Sequence, residues 1–66
     1  MKFQTALFKA GEMVVRLGVF EADSPREAVA AAEKKHDGML RQLATGDYSI
    51  RSAGVEIPVT TGVARK

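Results

Sequence analysis

The chain has 66 residues with no cysteine and no tryptophan, and 27% of its residues are charged and 45% hydrophobic. That length allows one small domain and excludes a two-domain enzyme. The missing cysteines exclude a disulfide framework, a thiolate metal ligand and a cysteine nucleophile. A domain of this size buries only about 60% of its unfolded surface, so we expect marginal stability that a partner or a second copy would increase.

The charge is nearly balanced along the body of the chain. Ten basic residues face eight acidic ones, and the excess of two equals the contribution of Arg65 and Lys66. We therefore expect a single domain over residues 1–62 and a flexible basic tail over residues 63–66. No apolar run approaches the ~18 residues of a membrane span, and the N-terminus lacks the pattern of a secretory signal. The sequence predicts a cytoplasmic protein.

The first two strands are predicted at residues 2–8 and 12–22. A three-residue loop at residues 9–11 joins them, with Gly11 in the left-handed conformation. This loop gives three opposite pairs: Leu7 with Met13, Thr5 with Val15, and Phe3 with Leu17. A two-residue loop would place Gln4 opposite Leu17 and mix polar with apolar side chains on one face. The pattern therefore favours the three-residue loop.

A helix begins at Ser24, which is followed by proline and, three residues after the serine, by Glu27. The serine suits the N-cap, and the glutamate can reach back to the cap. An apolar stripe with helical spacing continues through Val29, Ala32, His36, Leu40 and Leu43. We predict one helix over residues 24–44. Gly38 leaves an alternative in which the helix ends near His36 and residues 39–43 form a short strand.

A second hairpin is predicted at residues 47–52 and 55–61, with the turn at Ala53 and Gly54. Its pairs are Arg51 with Glu56, Ile50 with Ile57, and Tyr48 with Val59. Pro58 cannot donate to a ladder, so the last strand should be an edge or carry a bulge. Two hairpins and one helix predict an α+β fold of ββαββ order. It is a two-layer sandwich whose four-stranded, mainly antiparallel sheet carries the helix on one face, with the strand order left open.

One helix leaves the other face of this sheet uncovered. In the predicted registers, the following side chains face the helix: Phe3, Leu7, Met13, Val15, Leu17, Val19, Tyr48, Ile50, Val55, Ile57 and Val59. They leave on the open face Phe8, Val14, Arg16, Phe20, Arg51 and Glu56. Aromatic rings between arginines are typical of single-strand nucleic-acid binding, and equally of a protein interface or a homodimer. In an alternative without function, the two phenylalanines fold over a sheet edge.

The candidate partner-binding residues follow from this face. They are Phe8, Arg16, Phe20 and Arg51, with Lys34, Lys35 and Arg41 on the helix as second choice. Glu33, Asp37 and Arg41 stand four apart on one helix face and predict an Asp37–Arg41 ion pair on a solvated surface.

No arrangement of residues predicts a catalytic centre. The single histidine, His36, has no partner at a spacing that suits catalysis or metal binding, and we expect it to pack its ring and bond a helix-terminal carbonyl or water. The glycines lack phosphate-loop spacing, and a two-layer domain of this size offers little concavity. We expect no enzyme activity, no cofactor and no metal.

A strand leads directly into a capped, alanine-rich helix at Ala22, Asp23, Ser24, Pro25, Arg26, Glu27, Ala28 and Val29. A hairpin rich in β-branched residues follows. In this layout, over nearly the whole chain, the sequence resembles the small phage-encoded anti-CRISPR inhibitors built from an antiparallel sheet and one helix. The resemblance implies a non-enzymatic protein that binds a host nucleoprotein complex and blocks nucleic-acid access or nuclease recruitment. It assigns no role to any single residue.

The leading hypothesis is therefore an inhibitor of phage or mobile-element origin whose partner is a host protein or nucleoprotein complex. A nucleic-acid-binding module that uses the same open face is the first alternative. A homodimeric structural protein is the second.

Overall fold

The computed structural model describes residues 1–65, in which the strands and helices follow the predicted order. The elements are β1 (Lys2–Lys9), β2 (Glu12–Glu21), α1 (Pro25–Lys35), α2 (Asp37–Gln42), β3 (Tyr48–Ser52) and β4 (Val55–Val59), followed by a 3-10 helix at Gly62–Ala64. The strands form one antiparallel sheet in the order β2-β1-β3-β4, and α1 contacts all four. The predicted α+β class and ββαββ order are confirmed. The longest helix has 11 residues, and in residues 1–65 none has the length and apolarity to cross a membrane.

The first hairpin turns through two residues, Ala10 and Gly11, rather than three. Both have positive φ, 51° and 83°, and Lys9 lies opposite Glu12. This is the geometry of a type I′ turn, whose twist matches that of the flanking strands. The left-handed glycine is confirmed, but the three-residue loop and its pairs are wrong. The observed pairs are Phe3 with Phe20, Gln4 with Val19, Thr5 with Gly18, Ala6 with Arg16, Leu7 with Val15, and Phe8 with Met13.

Two β-bulges in β2 resolve the conflict that the shorter loop creates between polar and apolar positions. They leave Val14 and Leu17 without an opposite residue. Each extra residue shifts the alternation of faces by one position. Leu17 thereby turns into the core and is 4% exposed, and the hydroxyl of buried Thr5 donates to the carbonyl oxygen of Gly18 at 2.9 Å. The bulges thus correct the faces of β2 after the turn has set the register.

The second hairpin forms as predicted. Ala53 and Gly54 make its turn, with φ of 48° and 84°. The three predicted pairs of β3 with β4 are all observed. The strand that contains Pro58 is an edge of the sheet, as the missing amide donor requires.

The helical segment begins as predicted and is interrupted in the middle. The amide of Glu27 donates to Ser24 Oγ at 3.3 Å, and the Glu27 carboxylate accepts from the amide of Asp23 at 3.0 Å. At His36, φ of −103° and ψ of 22° end α1, and the chain then continues as α2. One continuous helix is therefore wrong. The alternative is confirmed in ending the first helix near His36, but its strand at residues 39–43 is wrong because α2 occupies that segment. Leu40 is nevertheless fully buried, as the apolar stripe predicts.

The core lies between the helices and one face of the sheet. Its largest fully buried side chains are Leu7, Val29, Leu40, Ile50 and Thr61. The Thr61 hydroxyl donates to the carbonyl oxygen of Ala44 at 3.0 Å. This bond ties the segment after β4 to the segment after α2.

The C-terminal segment is held against α1 and α2 by Arg65. Its guanidinium donates to Asp37 Oδ1 at 2.5 Å and to Glu33 Oε2 at 2.9 Å, and its side chain is 11% exposed. The sequence assigned this arginine to a flexible basic tail over residues 63–66, but here it is ion-paired to two carboxylates. Lys66 lies outside the described residues.

Candidate binding surface on the open face of the sheet

The open face is the side of the sheet opposite α1, and its side chains form four rows because paired residues share a face. From β2 toward β4, the rows are Glu21 and Lys2; Val19 and Gln4; Arg16, Ala6, Arg51 and Glu56; and Met13, Phe8, Ser49 and Pro58. The third row crosses all four strands. We call Arg16, Ala6, Arg51 and Glu56 the arginine row.

An open concavity of about 700 Å³ lies on this face. The bulged strand β2 borders it on one side, where it is lined by Met13, Arg16 and Val19, and the turn at Ala53 and Gly54 borders it on another. Bulges increase the local twist of a strand pair. The expectation of little concavity is therefore wrong for this face, whose hollow falls in the size range of ligand clefts, about 300–1,000 Å³.

Arg51 is fixed by contacts within the open face. Its Nε donates to Glu56 Oε2 at 2.7 Å, and its guanidinium carbon lies 4.2 Å from the centroid of the Phe8 ring. Ser49 Oγ donates to the same carboxylate oxygen at 2.9 Å. The hydrogen bond from Arg51, and then that from Ser49, lower the pKa of Glu56 below its ordinary value. The predicted cross-strand ion pair is confirmed, and its carboxylate is ionised at neutral pH.

Arg16 is different, because within residues 1–65 its guanidinium makes no hydrogen bond and no ion pair. It is exposed on the same face as Met13 and Val19, whose side chains are 54% and 55% exposed. The sequence placed Met13 and Val19 under the helix. The shorter loop and the bulges move them to the open face, where they give the concavity an apolar border.

Three of the predicted binding residues, Phe8, Arg16 and Arg51, come together on the open face. Phe20 does not, because it lies opposite Phe3 on the helix side and packs against the core. Its ring meets that of His36 edge-on, with centroids 6.5 Å apart. The predicted position of Phe20 is wrong for the same reason as those of Met13 and Val19. Val14, also expected on the open face, is the extra residue of a bulge and is 49% exposed.

Two of the three candidate basic residues on the helices, Lys35 and Arg41, contact other side chains of the fold. Lys35 Nζ lies 5.6 Å from the centroid of the Phe20 ring. Arg41 Nε donates to Asp37 Oδ2 at 2.7 Å, which confirms the predicted ion pair. Lys34 borders a shallow depression that Arg65 and its two carboxylates also line.

His36 has the structural role that the sequence predicts, with a different acceptor. Its Nε2 lies 2.9 Å from the carbonyl oxygen of Leu17, which belongs to a bulge and not to a helix end. Within residues 1–65, no group of three His, Cys, Asp or Glu side chains is placed to hold a metal ion.

Gln4, Ala6, Met13 and Val19 belong to the open face but were missed by the sequence analysis. One signal in the sequence indicates the position of Val19, whereas that of Met13 depends on the length of the first loop. Gly18 interrupts an apolar strand, which is typical of a bulge, and it adopts φ of 108° beside the extra residue Leu17. A bulge at this point reverses the faces of the rest of β2.

Comparisons with known proteins give no relative for the chain. No protein family, no curated protein and no solved structure matches it.

Proposed function

We propose that this chain is a small binding protein without catalytic activity, which acts in the cytoplasm by occupying a surface on a larger host assembly with the open face of its sheet. The observation that carries the proposal is the concave open face, where Arg16 and the exposed side chains of Met13 and Val19 surround Ala6. No element of residues 1–65 covers them. An apolar centre beside charged groups is the composition of protein interfaces.

The aromatic residues favour a protein partner over single-stranded nucleic acid. Of the four aromatic residues, Phe8 alone lies on the open face, and Arg51 already covers its ring. Base stacking on Phe8 would first have to displace that arginine from its ion pair. The carboxylate of Glu56 in the arginine row would repel phosphate groups.

Binding without catalysis is supported by the state of two carboxylates. Asp37 is bound to Arg65 and Arg41, and Glu56 is bound to Arg51. These hydrogen bonds lower the pKa of both carboxyl groups, which makes them weak bases at neutral pH. The resemblance in sequence layout to anti-CRISPR inhibitors, if it reflects function, makes a host nucleoprotein complex the first assembly to test.

The test is an affinity capture from nuclease-treated bacterial lysate with three forms of the tagged chain: wild type, Val19→Asp and Val63→Asp. Val63 is 98% exposed outside the sheet, so its variant is the matched control. We expect the wild type and the control to retain the same proteins, and Val19→Asp to retain them at least about tenfold less, because a buried unpaired charge is costly.

Equal retention by Val19→Asp would overturn the proposal. Loss of all retained proteins on nuclease treatment would favour the nucleic-acid module instead. A solution mass near twice 7.1 kDa that Val19→Asp alone reduces would assign the open face to a second copy of the chain.

A further inference from the structure

The arginine row brings two guanidinium groups to opposite sides of a small residue. Ala6 lies opposite Arg16 on β2 and opposite Arg51 on β3. Neighbouring strands are about 4.8 Å apart, so the Cα atoms of the two arginines are about 10 Å apart. Only the methyl group of Ala6 stands between them, and all three residues line the concavity.

The two arginines have hydrogen-bonding capacity that the fold does not use. The Nε of Arg51 donates to Glu56, and its guanidinium stacks on the Phe8 ring. Within residues 1–65, its Nη groups have no hydrogen-bond acceptor. In the same residues, no acceptor bonds any N–H group of the Arg16 guanidinium. A guanidinium that is already fixed loses little conformational freedom when it binds. Arg51 is therefore prepared to receive an anionic group, with Arg16 beside it.

Building on the proposed function, we propose that the arginine row binds a carboxylate of the protein partner, an aspartate or glutamate side chain with aliphatic neighbours. Two arginines and one glutamate give the row a net charge of +1, which one carboxylate balances. Guanidinium groups match carboxylates in geometry as well as charge. The exposed side chains of Met13 and Val19 lie in the rows on either side and fit aliphatic residues of the partner.

The net charge of the arginine row also favours a single carboxylate over a nucleic-acid backbone. A nucleic-acid backbone presents a run of phosphates and is held by several cations at once. Here one of the three charged groups of the row is an ionised carboxylate, Glu56, and the rows beside it are apolar or neutral. A single acidic side chain in an apolar setting matches this pattern.

The experiment titrates the ¹⁵N-labelled chain with two blocked pentapeptides, Leu-Glu-Leu-Glu-Leu and Leu-Gln-Leu-Gln-Leu. We expect the glutamate peptide to shift the amide signals of Ala6, Arg16 and Arg51, with a Kd about tenfold lower than that of the glutamine peptide. Arg16→Gln should abolish the difference. Arg26→Gln, which removes an exposed arginine from α1, should keep it.

Equal binding of the two peptides, or an unchanged preference in Arg16→Gln, would overturn the carboxylate site. So would the absence of any shift, or tighter binding of a thymidine oligonucleotide to the same residues. The proposed function is judged separately, because the capture experiment varies Val19 and Val63 and leaves the arginine row intact. Val19-dependent capture without a glutamate preference would reject the carboxylate and keep the binding face.

Discussion

The Nε2 atom of His36 lies 2.9 Å from the carbonyl oxygen of Leu17. A carbonyl oxygen can only accept, so Nε2 carries the proton and donates it. His36 is the residue that interrupts the helix, and Leu17 is the extra residue of a β-bulge. The irregular points of the helical layer and of the sheet are therefore bonded to each other.

This bond predicts the effect of replacing His36 by alanine. The carbonyl of Leu17 is part-buried, and it would lose its side-chain donor. We expect His36→Ala to lower the free energy of unfolding by about 1–3 kcal/mol, measured by urea denaturation at pH 7.5. Lys34→Ala is the control, since Lys34 is exposed on the same helix, and it should stay within about 0.5 kcal/mol of the wild type. Equal losses in both variants would mean that the bond contributes nothing.

The two hairpins explain which parts of the fold the sequence determines locally. In the second hairpin, the turn residues and the alternation agree, so counting outward from Ala53 and Gly54 gives every pair. In the first, alternation favours one loop and the backbone adopts another, and the two bulges at Val14 and Leu17 remove the conflict. A bulge depends on contacts across the fold, such as the bond from His36, which no local pattern contains.

The contrast between regular strands and bulged strands also determines how much of the candidate site could be predicted. Arg51 and Phe8 lie on regular strand segments, and their open-face positions follow from alternation. The predicted face of Arg16 is correct although the predicted loop is wrong, because the shorter loop and the first bulge compensate each other at that position. Beyond Leu17 the second bulge applies, so Val19 and Phe20 exchange the faces that alternation gives them.

The pKa of Asp37 predicts a dependence of stability on pH. The hydrogen bond from Arg65, and then that from Arg41, lower this pKa below its ordinary value of 3.8, although desolvation acts in the opposite direction. The unfolded chain therefore binds a proton more readily at this carboxyl, and stability rises with pH. The stabilisation from the ionised Asp37 is complete above the pKa of this carboxyl in the unfolded chain. It is lost as the pH falls through the lower pKa of the folded chain.

Asp37→Asn tests this dependence. We expect the variant to unfold at a lower temperature than the wild type at pH 7, and the difference to shrink as the pH falls below 3.8. Arg65→Ala should raise the pKa of Asp37 toward its ordinary value, which an NMR titration of the carboxyl carbon measures. A folded-state pKa at or above 3.8 in the wild type would contradict the contribution of the ion pairs.

Gly62 and Gly38 form a matched pair for a glycine-to-alanine comparison. Gly62 has φ of 66°, and a Cβ there would lie 2.7 Å from the carbonyl oxygen of Leu43. Gly38 lies in α2 with nothing within 4 Å of its Cβ position. We expect Gly62→Ala to destabilise by about 2 kcal/mol or more and Gly38→Ala to stabilise by about 0.5–1 kcal/mol, both by urea denaturation. Similar effects in the two variants would show that the C-terminal segment does not pack closely against the residues after α2.

The two-residue turn at Ala10 and Gly11 predicts a gain in stability from Ala10→Asn. Ala10 has φ of 51°, where asparagine is better tolerated than alanine, and Asn-Gly is the preferred pair of a type I′ turn. We expect a gain of about 0.5 kcal/mol and a three-bond HN–Hα coupling typical of positive φ at residue 10. A three-residue loop would put residue 10 at negative φ. A loss of stability in Ala10→Asn together with a negative-φ coupling would therefore restore that loop and move Met13 and Val19 from the open face back under the helix.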